Sequence, residues 1–204
     1  VCVRSVEQGA RPRATLNMPR RSFNGTTVLV TGAGGGLGRA IAEQFAAAGA
    51  HIVALDKDAA AVATLQAILE ARGRACLSLP CDVTDPDACA RAIAAAIERF
   101  GTLDVLVNNA GMSHRSGLAE TDLAVIRRVM DVNFFGAVHC TKAALPRLVE
   151  RRGLVIAISS VAGYTPLIAR TGYAASKHAL HGFFESLRTE VALQGVQVMM
   201  VCPS

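Results

Sequence analysis

From Thr26 to the last residue, six short runs of β-branched and apolar residues alternate with alanine-rich stretches of helical length. The runs are TTVLVT (26–31), HIVAL (51–55), ACLSLP (75–80), LDVLV (103–107), LVIAIS (154–159) and VQVMMV (196–201). The helical stretches fall near 37–49, 58–72, 86–100, 121–150 and 173–194. Several runs are apolar throughout, as strands are when helices cover both faces of a parallel sheet. Gly49, Gly73, Gly101, Gly153 and Gly195 each stand just before a strand, where helix C-terminal turns favour glycine. The alternation predicts an α/β fold with a Rossmann-type doubly wound parallel sheet.

Composition fits one packed domain: 51% of the 204 residues are hydrophobic and 18% charged. No run of 18 or more apolar residues exists, so no membrane span is expected. Six scattered cysteines without a C-x-x-C pair argue against a disulfide framework or a metal site, and for reduced thiols in the cytoplasm. The formal charge of +5 is uneven: Arg4, Arg11, Arg13, Arg20 and Arg21 crowd the first 21 residues against one acid, Glu7. Basicity confined to a tail does not make a nucleic-acid face. Residues 1–21 are read as a basic, disordered tail with Met18 as a native start, and 22–204 as the folded domain.

Directly after the first run comes TGAGGGLG, Thr31 to Gly38. Glycines there permit a tight turn and a close ligand approach, and a helix N-terminus offers free N–H groups to a pyrophosphate. Gly32, Gly36 and Gly38 read G-x-x-x-G-x-G, not the general dinucleotide spacing G-x-G-x-x-G. Asp56 ends the second run, where a carboxylate accepts from ribose hydroxyls and repels a 2′-phosphate. Gly35 offers no cation to such a phosphate, so NAD is favoured over NADP, with Lys57 and Arg39 nearby.

Tyr173 and Lys177, in GYAASKHAL, sit at i and i+4 on one helix face. A phenol is a poor base at neutral pH, with an ordinary pKa near ~10, and a neighbouring ammonium stabilises its ionised form. Ser160 lies 13 residues before Tyr173 at the end of the fifth run. That is the sheet edge where ligands of such folds bind.

Together, Thr31–Gly38, NNAG at Asn108–Gly111, Ser160 and Tyr173-Ala-Ala-Ser-Lys177 resemble the classical short-chain dehydrogenase/reductase family. The resemblance runs from about Thr26 to the end and implies strand order 3-2-1-4-5-6-7. It also implies hydride transfer between a nicotinamide coenzyme and an alcohol or carbonyl substrate, and a homo-dimer or homo-tetramer.

Carried over by position, Asn133, Ser160, Tyr173 and Lys177 are the catalytic set, with Tyr173 as general acid/base and Lys177 also on the nicotinamide ribose. The coenzyme set is Gly32, Gly35, Gly36, Leu37, Gly38, Asp56, Asp82, Val83, Asn109, Ala110, Gly111 and Pro203, joined by Tyr173 and Lys177. Asn108 is read as a sheet brace and Ser176 as packing. Ser113, His114, Gly163, Tyr164, Thr165 and Leu167 are what remains of a substrate pocket.

The resemblance also marks departures. Ser204 stands where a glycine is common, and related chains continue into a seventh strand and a substrate lid, so a C-terminally shortened domain is expected. The competing reading is a non-catalytic dinucleotide-binding or redox-sensing module. An epimerase or dehydratase of the extended relatives fits the glycine spacing less well.

Overall fold

The computed structural model describes residues 21–203. The basic segment through Arg20, with Met18, and Ser204 lie outside the described residues. One parallel sheet contains β1 (Thr27–Thr31), β2 (His51–Asp56), β3 (Cys76–Pro80), β4 (Val105–Asn108), β5 (Leu154–Ile158) and β6 (Gln197–Val201). Its order is β3-β2-β1-β4-β5-β6, as expected for the first six strands. The helices are α1 (Gly36–Ala47), α2 (Ala59–Ala71), α3 (Pro86–Phe100), α4 (Leu123–Met130), α5 (Gly136–Arg151) and α6 (Thr171–Glu190). No described helix is long and apolar enough to cross a membrane.

Alternation along each buried strand splits the core in two. Val28, Val30, Ile52 and Ala54 face α1 and α2 through Ala42, Ala46, Val62, Leu65 and Leu69. Leu29, Val53, Leu55 and Leu106 face the other way, onto Ile93, Ala144, Leu148 and Phe184 of α3, α5 and α6. Both faces of β1 are therefore covered, which is why its three central residues, Val28, Leu29 and Val30, are all apolar.

Helix starts differ in a way that matters for the site. Asp58, Asp85 and Asp122 cap α2, α3 and α4 with side-chain bonds to backbone N–H groups. α1 begins instead on Gly35, with no side-chain cap and no acid in its first turn. Its N-terminal N–H groups and the positive end of its dipole have no carboxylate against them.

Three local expectations are corrected. The stretch 121–150 is not one helix, because α4 and α5 are joined by a π-helical segment, Asp131–Phe135. There the Gly136 N–H reaches back to the Asp131 carbonyl, one residue further than in an α-helix. The stretch 173–194 likewise ends as α6 at Glu190, and a 3-10 turn carries the chain to Gly195. Before β5 the left-handed position is Arg152 (φ 47°), not Gly153. Gly153 is required by crowding, since a Cβ there would lie 2.7 Å from both the Asp104 carbonyl and Leu148. The described cysteines are free thiols, yet three far apart in sequence converge in the core. Cys140 Sγ lies 3.5 Å from Cys89 Sγ, and Cys81 belongs to the same cluster.

The edge of the sheet opposite the glycine loop is tied by one carboxylate. Asp104, 5% exposed, accepts from the Thr27 N–H at 3.0 Å and from Arg151 Nε at 2.9 Å. It thereby joins β1, β4 and α5. Asp104→Ala is expected to cost about 2 kcal/mol, because it orphans a buried N–H, while the half-exposed Arg151 guanidinium is left to water. Asp104→Asn, which still accepts from Thr27, is expected to cost about half as much. Urea unfolding followed by circular dichroism measures both.

Candidate active site

The glycine-rich loop leaves β1 at Thr31 and is held by the loop that leaves β4. The Thr31 hydroxyl accepts from the N–H groups of Asn109 (3.0 Å) and Ala110 (2.9 Å). The Asn109 side-chain amide donates back to the carbonyls of Thr31 (2.9 Å) and Gly32 (3.2 Å). Gly32 turns with φ 65°, and a Cβ there would stand 2.9 Å from Ala110 Cα. At Gly38 a Cβ would collide with the Gly32 carbonyl and the Asn109 amide. Around Gly35 and Gly36, by contrast, a Cβ would meet nothing within 4 Å. So Gly32 and Gly38 close the loop on itself, while the uncapped start of α1 opens onto free space. That arrangement suits a pyrophosphate.

Asp56 does two jobs at the end of β2. Its Oδ2 accepts from the Gly34 N–H and its Oδ1 from the Asp58 N–H, each at 3.0 Å. A carboxylate has about four acceptor sites, so capacity remains toward the cleft. The bracing of the loop is not legible from the sequence.

A cleft of about 770 Å³ runs along this edge, between Gly32, Asp56, Asp82 and Val83 on one side and Gly111, Met112 and α4 on the other. Two bonds from Thr84, backbone and side chain, hold the Asp82 carboxyl below its ordinary range, against a smaller opposing effect of burial. Lys57, Arg127 and Arg128 also line the cleft. The two arginines are not legible in the sequence, because a helical reading of 121–150 does not say that residues 127 and 128 border the cleft. Leu37 lies elsewhere: with Phe23, Ile41 and Phe45 it lines an apolar groove on the outer side of α1. Only its backbone is available to the loop. The Asn109 amide is likewise engaged with the loop and not with the cleft.

The other end of the edge gathers the expected catalytic side chains. Tyr173 is half-buried near the start of α6, with Lys177 Nζ 5.7 Å and Arg170 Cζ 5.9 Å from its ring centre. Lys177 is 5% exposed and donates to the Ile158 carbonyl at 2.8 Å. Burial pushes its ammonium down to about 8. Asn133, in the π-helical segment, is buried and fully engaged. Its Oδ1 accepts from the Met112 N–H (2.7 Å), and its Nδ2 donates to the Met112 carbonyl and to Ser176 Oγ (both 2.9 Å). Ser176 donates in turn to the Tyr173 carbonyl at 2.7 Å. It is therefore a polar strut between Asn133 and the turn that carries Tyr173, not plain packing.

Ser160 follows β5 and accepts from the Ala162 N–H at 3.2 Å, whereas Ser159 is 3% exposed and bonded inward to His181. Of the two serines only Ser160 is at the accessible edge. The Pro203 carbonyl accepts from the Val161 N–H at 3.3 Å, which sets the segment after β6 beside Ser160. Asn108 braces β4 to α5 through Thr141 Oγ1 at 2.9 Å. Among the pocket residues, Tyr164 is 63% exposed, and His114 packs against Gly172 beside Tyr173.

A family model described as short chain dehydrogenase matches residues 26–204. The chain is 42% identical over 191 residues to dehydrogenase/reductase SDR family member 7B of Bos taurus, a match that covers 90% of this chain and 59% of that protein. It thus spans less than two thirds of the length of such curated relatives. Among solved structures, a short-chain dehydrogenase from Streptomyces avermitilis superposes with a TM-score of 0.82 at 36% identity, covering 87% of this chain and 65% of that one. A 7α-hydroxysteroid dehydrogenase complexed with NADH and 7-oxo glycochenodeoxycholic acid superposes with a TM-score of 0.85 at 28% identity, covering 89% and 71%.

Lys177 carries a measurable cost. Lowering its pKa from 10.5 to about 8 corresponds to on the order of 3 kcal/mol of unfavourable burial of the charge at neutral pH. The unfolded chain binds more protons between those values, so stability is expected to rise as pH goes from about 8 toward 10.5. Lys177→Met is expected to abolish that rise. At pH 7 it should be roughly 1–2 kcal/mol more stable than the parent, since orphaning the Ile158 carbonyl offsets part of the gain. Urea unfolding at pH 7 and at pH 10 tests both statements.

Proposed function

The chain belongs to the short-chain dehydrogenase family, and we propose that it transfers a hydride between a nicotinamide coenzyme, NAD before NADP, and the carbon of an alcohol or ketone. The observation that carries this reading is the buried Lys177 ammonium one turn from Tyr173, backed by the Asn133–Ser176 strut. Burying a cation on α6 is unfavourable for stability, and in this reading its role is to stabilise the negative charge that develops on the phenol during proton transfer.

The roles follow from position. The uncapped N-terminus of α1, with Gly35 and Gly36 open toward it, would hold the pyrophosphate. Asp56 would accept from the adenosine ribose, and Asp82 and Val83 would flank the adenine. A bound nicotinamide ring supplies the hydride donor or acceptor. In oxidation Tyr173 takes the hydroxyl proton as the hydride leaves the carbon; in reduction it returns that proton to the oxygen. Ser160 steadies the same oxygen, and Lys177 stabilises charge on the phenol. Self-association into a dimer or tetramer is part of this reading, through the exposed flanks of α5 and α6. Lys57 and Arg128 on the cleft wall favour a second reading, in which NADP is also accepted.

Titration of the chain with NADH and with NADPH, followed by nicotinamide fluorescence, is expected to give tighter NADH binding. Oxidation of NADH with phenanthrenequinone as a carbonyl probe is expected to fall at least ~100-fold in Tyr173→Phe, with NADH affinity retained. No binding of either coenzyme by the folded chain would sink the proposal. Binding without turnover would favour the non-catalytic dinucleotide module.

A further inference from the structure

One buried titratable side chain lies next to the catalytic set and has no part in the hydride-transfer mechanism. His181 is one turn beyond Lys177 on α6, on the same face, and is 8% exposed. Its Nε2 shares a hydrogen bond with Ser159 Oγ at 2.9 Å, and Cys202 Sγ lies 3.9 Å from the same nitrogen. The loop after β5 rests on the ring. Tyr164 meets it edge-on at 4.1 Å between centroids, and a Cβ at Gly163 would collide with it.

These contacts converge on the segments that carry the reacting groups. Ser159 immediately precedes Ser160. Its N–H donates to the Val201 carbonyl at 2.8 Å, while Lys177 is bonded to the preceding carbonyl, that of Ile158. Cys202 immediately precedes Pro203, whose carbonyl holds the Val161 N–H. The imidazole thus touches the ends of both β5 and β6 from α6.

We propose that His181 is a positioning residue: locked to Ser159, its neutral ring fixes Ser160 against Tyr173 and Lys177, and protonation of the ring releases that segment. The inference rests on the dehydrogenase reading of Ser160, Tyr173 and Lys177.

The reason lies in the ring's unused nitrogen. His181 Nδ1 is buried and has no hydrogen-bond partner among the described residues. In the neutral ring, one nitrogen serves Ser159 and the other costs a single unmet group. A second proton would place a charged N–H donor at Nδ1 with no acceptor, and would leave Ser159 Oγ only the role of acceptor. The titratable groups around the ring are few: Tyr164 from the loop, Cys202 from the end of β6, and Lys177, His178 and Glu185 on α6 itself. Burial pushes the imidazole below its ordinary range; Glu185 opposes this, and His178 adds to it. With the folded value depressed, the ring in the folded chain stays neutral to a pH below the ordinary pKa of about 6.5; the stability this brings is complete above that pKa and is lost as pH falls from it toward the lower folded value.

The test compares His181→Leu, His181→Gln and Ser159→Ala with the parent chain, using NADH and phenanthrenequinone between mildly alkaline and mildly acidic pH. The parent is expected to lose kcat by ~10-fold or more on the acid side with little change in NADH affinity. His181→Leu should show that loss at every pH. Glutamine, which can still bond Ser159 but does not titrate, should recover most of the activity and lack the acid limb. Ser159→Ala removes the same bond without altering α6, and covers the case in which the leucine variant fails to fold. An acid limb unchanged in His181→Gln, or full kcat in both His181→Leu and Ser159→Ala, would overturn the proposal.

A second readout is independent of turnover. The amide resonances of Ala162 and Gly163, which donate to Ser160 Oγ and to the Ser160 carbonyl, should follow the titration of His181 and stand still in the glutamine variant. Amides that respond without turnover would uphold the coupling while the dehydrogenase reading fails. Amides that ignore the titration in an active protein would overturn the coupling alone.

Discussion

A single hydroxyl at the end of β1 sets the geometry on which the rest of the cleft depends. Thr31 Oγ1 accepts two consecutive backbone N–H groups from the loop after β4, and Asn109 answers with its amide on the Thr31 and Gly32 carbonyls. β1 and β4 are neighbours from which the chain winds in opposite directions, so their following loops part and a crevice opens between them. The latch fixes the width of that crevice near its floor. Gly32 and Gly38 are the positions that let the two loops come so close, and Asp56 props the far side of the loop through the Gly34 N–H.

Further along the edge, electrostatics governs. Lys177 gives up almost all its hydration, and its one direct bond to a carbonyl does not offset this, so its ammonium titrates near 8. A chain selected for stability alone would place an apolar residue there. Stability given up at one position, next to a phenol, is what the proposed role of Lys177 requires. The Asn133–Ser176 strut follows the same logic, because a π-helical turn between α4 and α5 carries a buried amide to where it can hold both Met112 and the helix of Tyr173. Such turns break helical regularity and recur at functional positions for that reason.

The arrangement of caps separates structure from site. Aspartates close the starts of α2, α3 and α4, satisfying N–H groups that would otherwise face solvent unpaired. α1 lacks any such group, and Gly35 and Gly36 at its start border open space. A carboxylate partner for the helix N-terminus is supplied by the chain at α2, α3 and α4 and not at α1, where the glycine loop lies.

Much of this was legible in the sequence because it depends on local periodicity and short spacings. Apolar runs set the six strands, the glycines after β1 announced a tight approach, and the four-residue step from Tyr173 to Lys177 put both on one helix face. What the sequence alone determined is the fold class, the order of elements and the identity of the candidate reacting side chains. Only the tertiary structure decided which groups satisfy each other. Asn109 closes the loop instead of facing the cleft, Leu37 faces outward, Arg127 and Arg128 border the cleft from α4, and His181 meets Ser159 from 22 residues away. Those pairings depend on how helices are rotated and where α4 gives way to α5, and neither is encoded in any single window of residues. They are settled only when the strands and helices that carry them pack together, where burial makes each unmet polar atom costly.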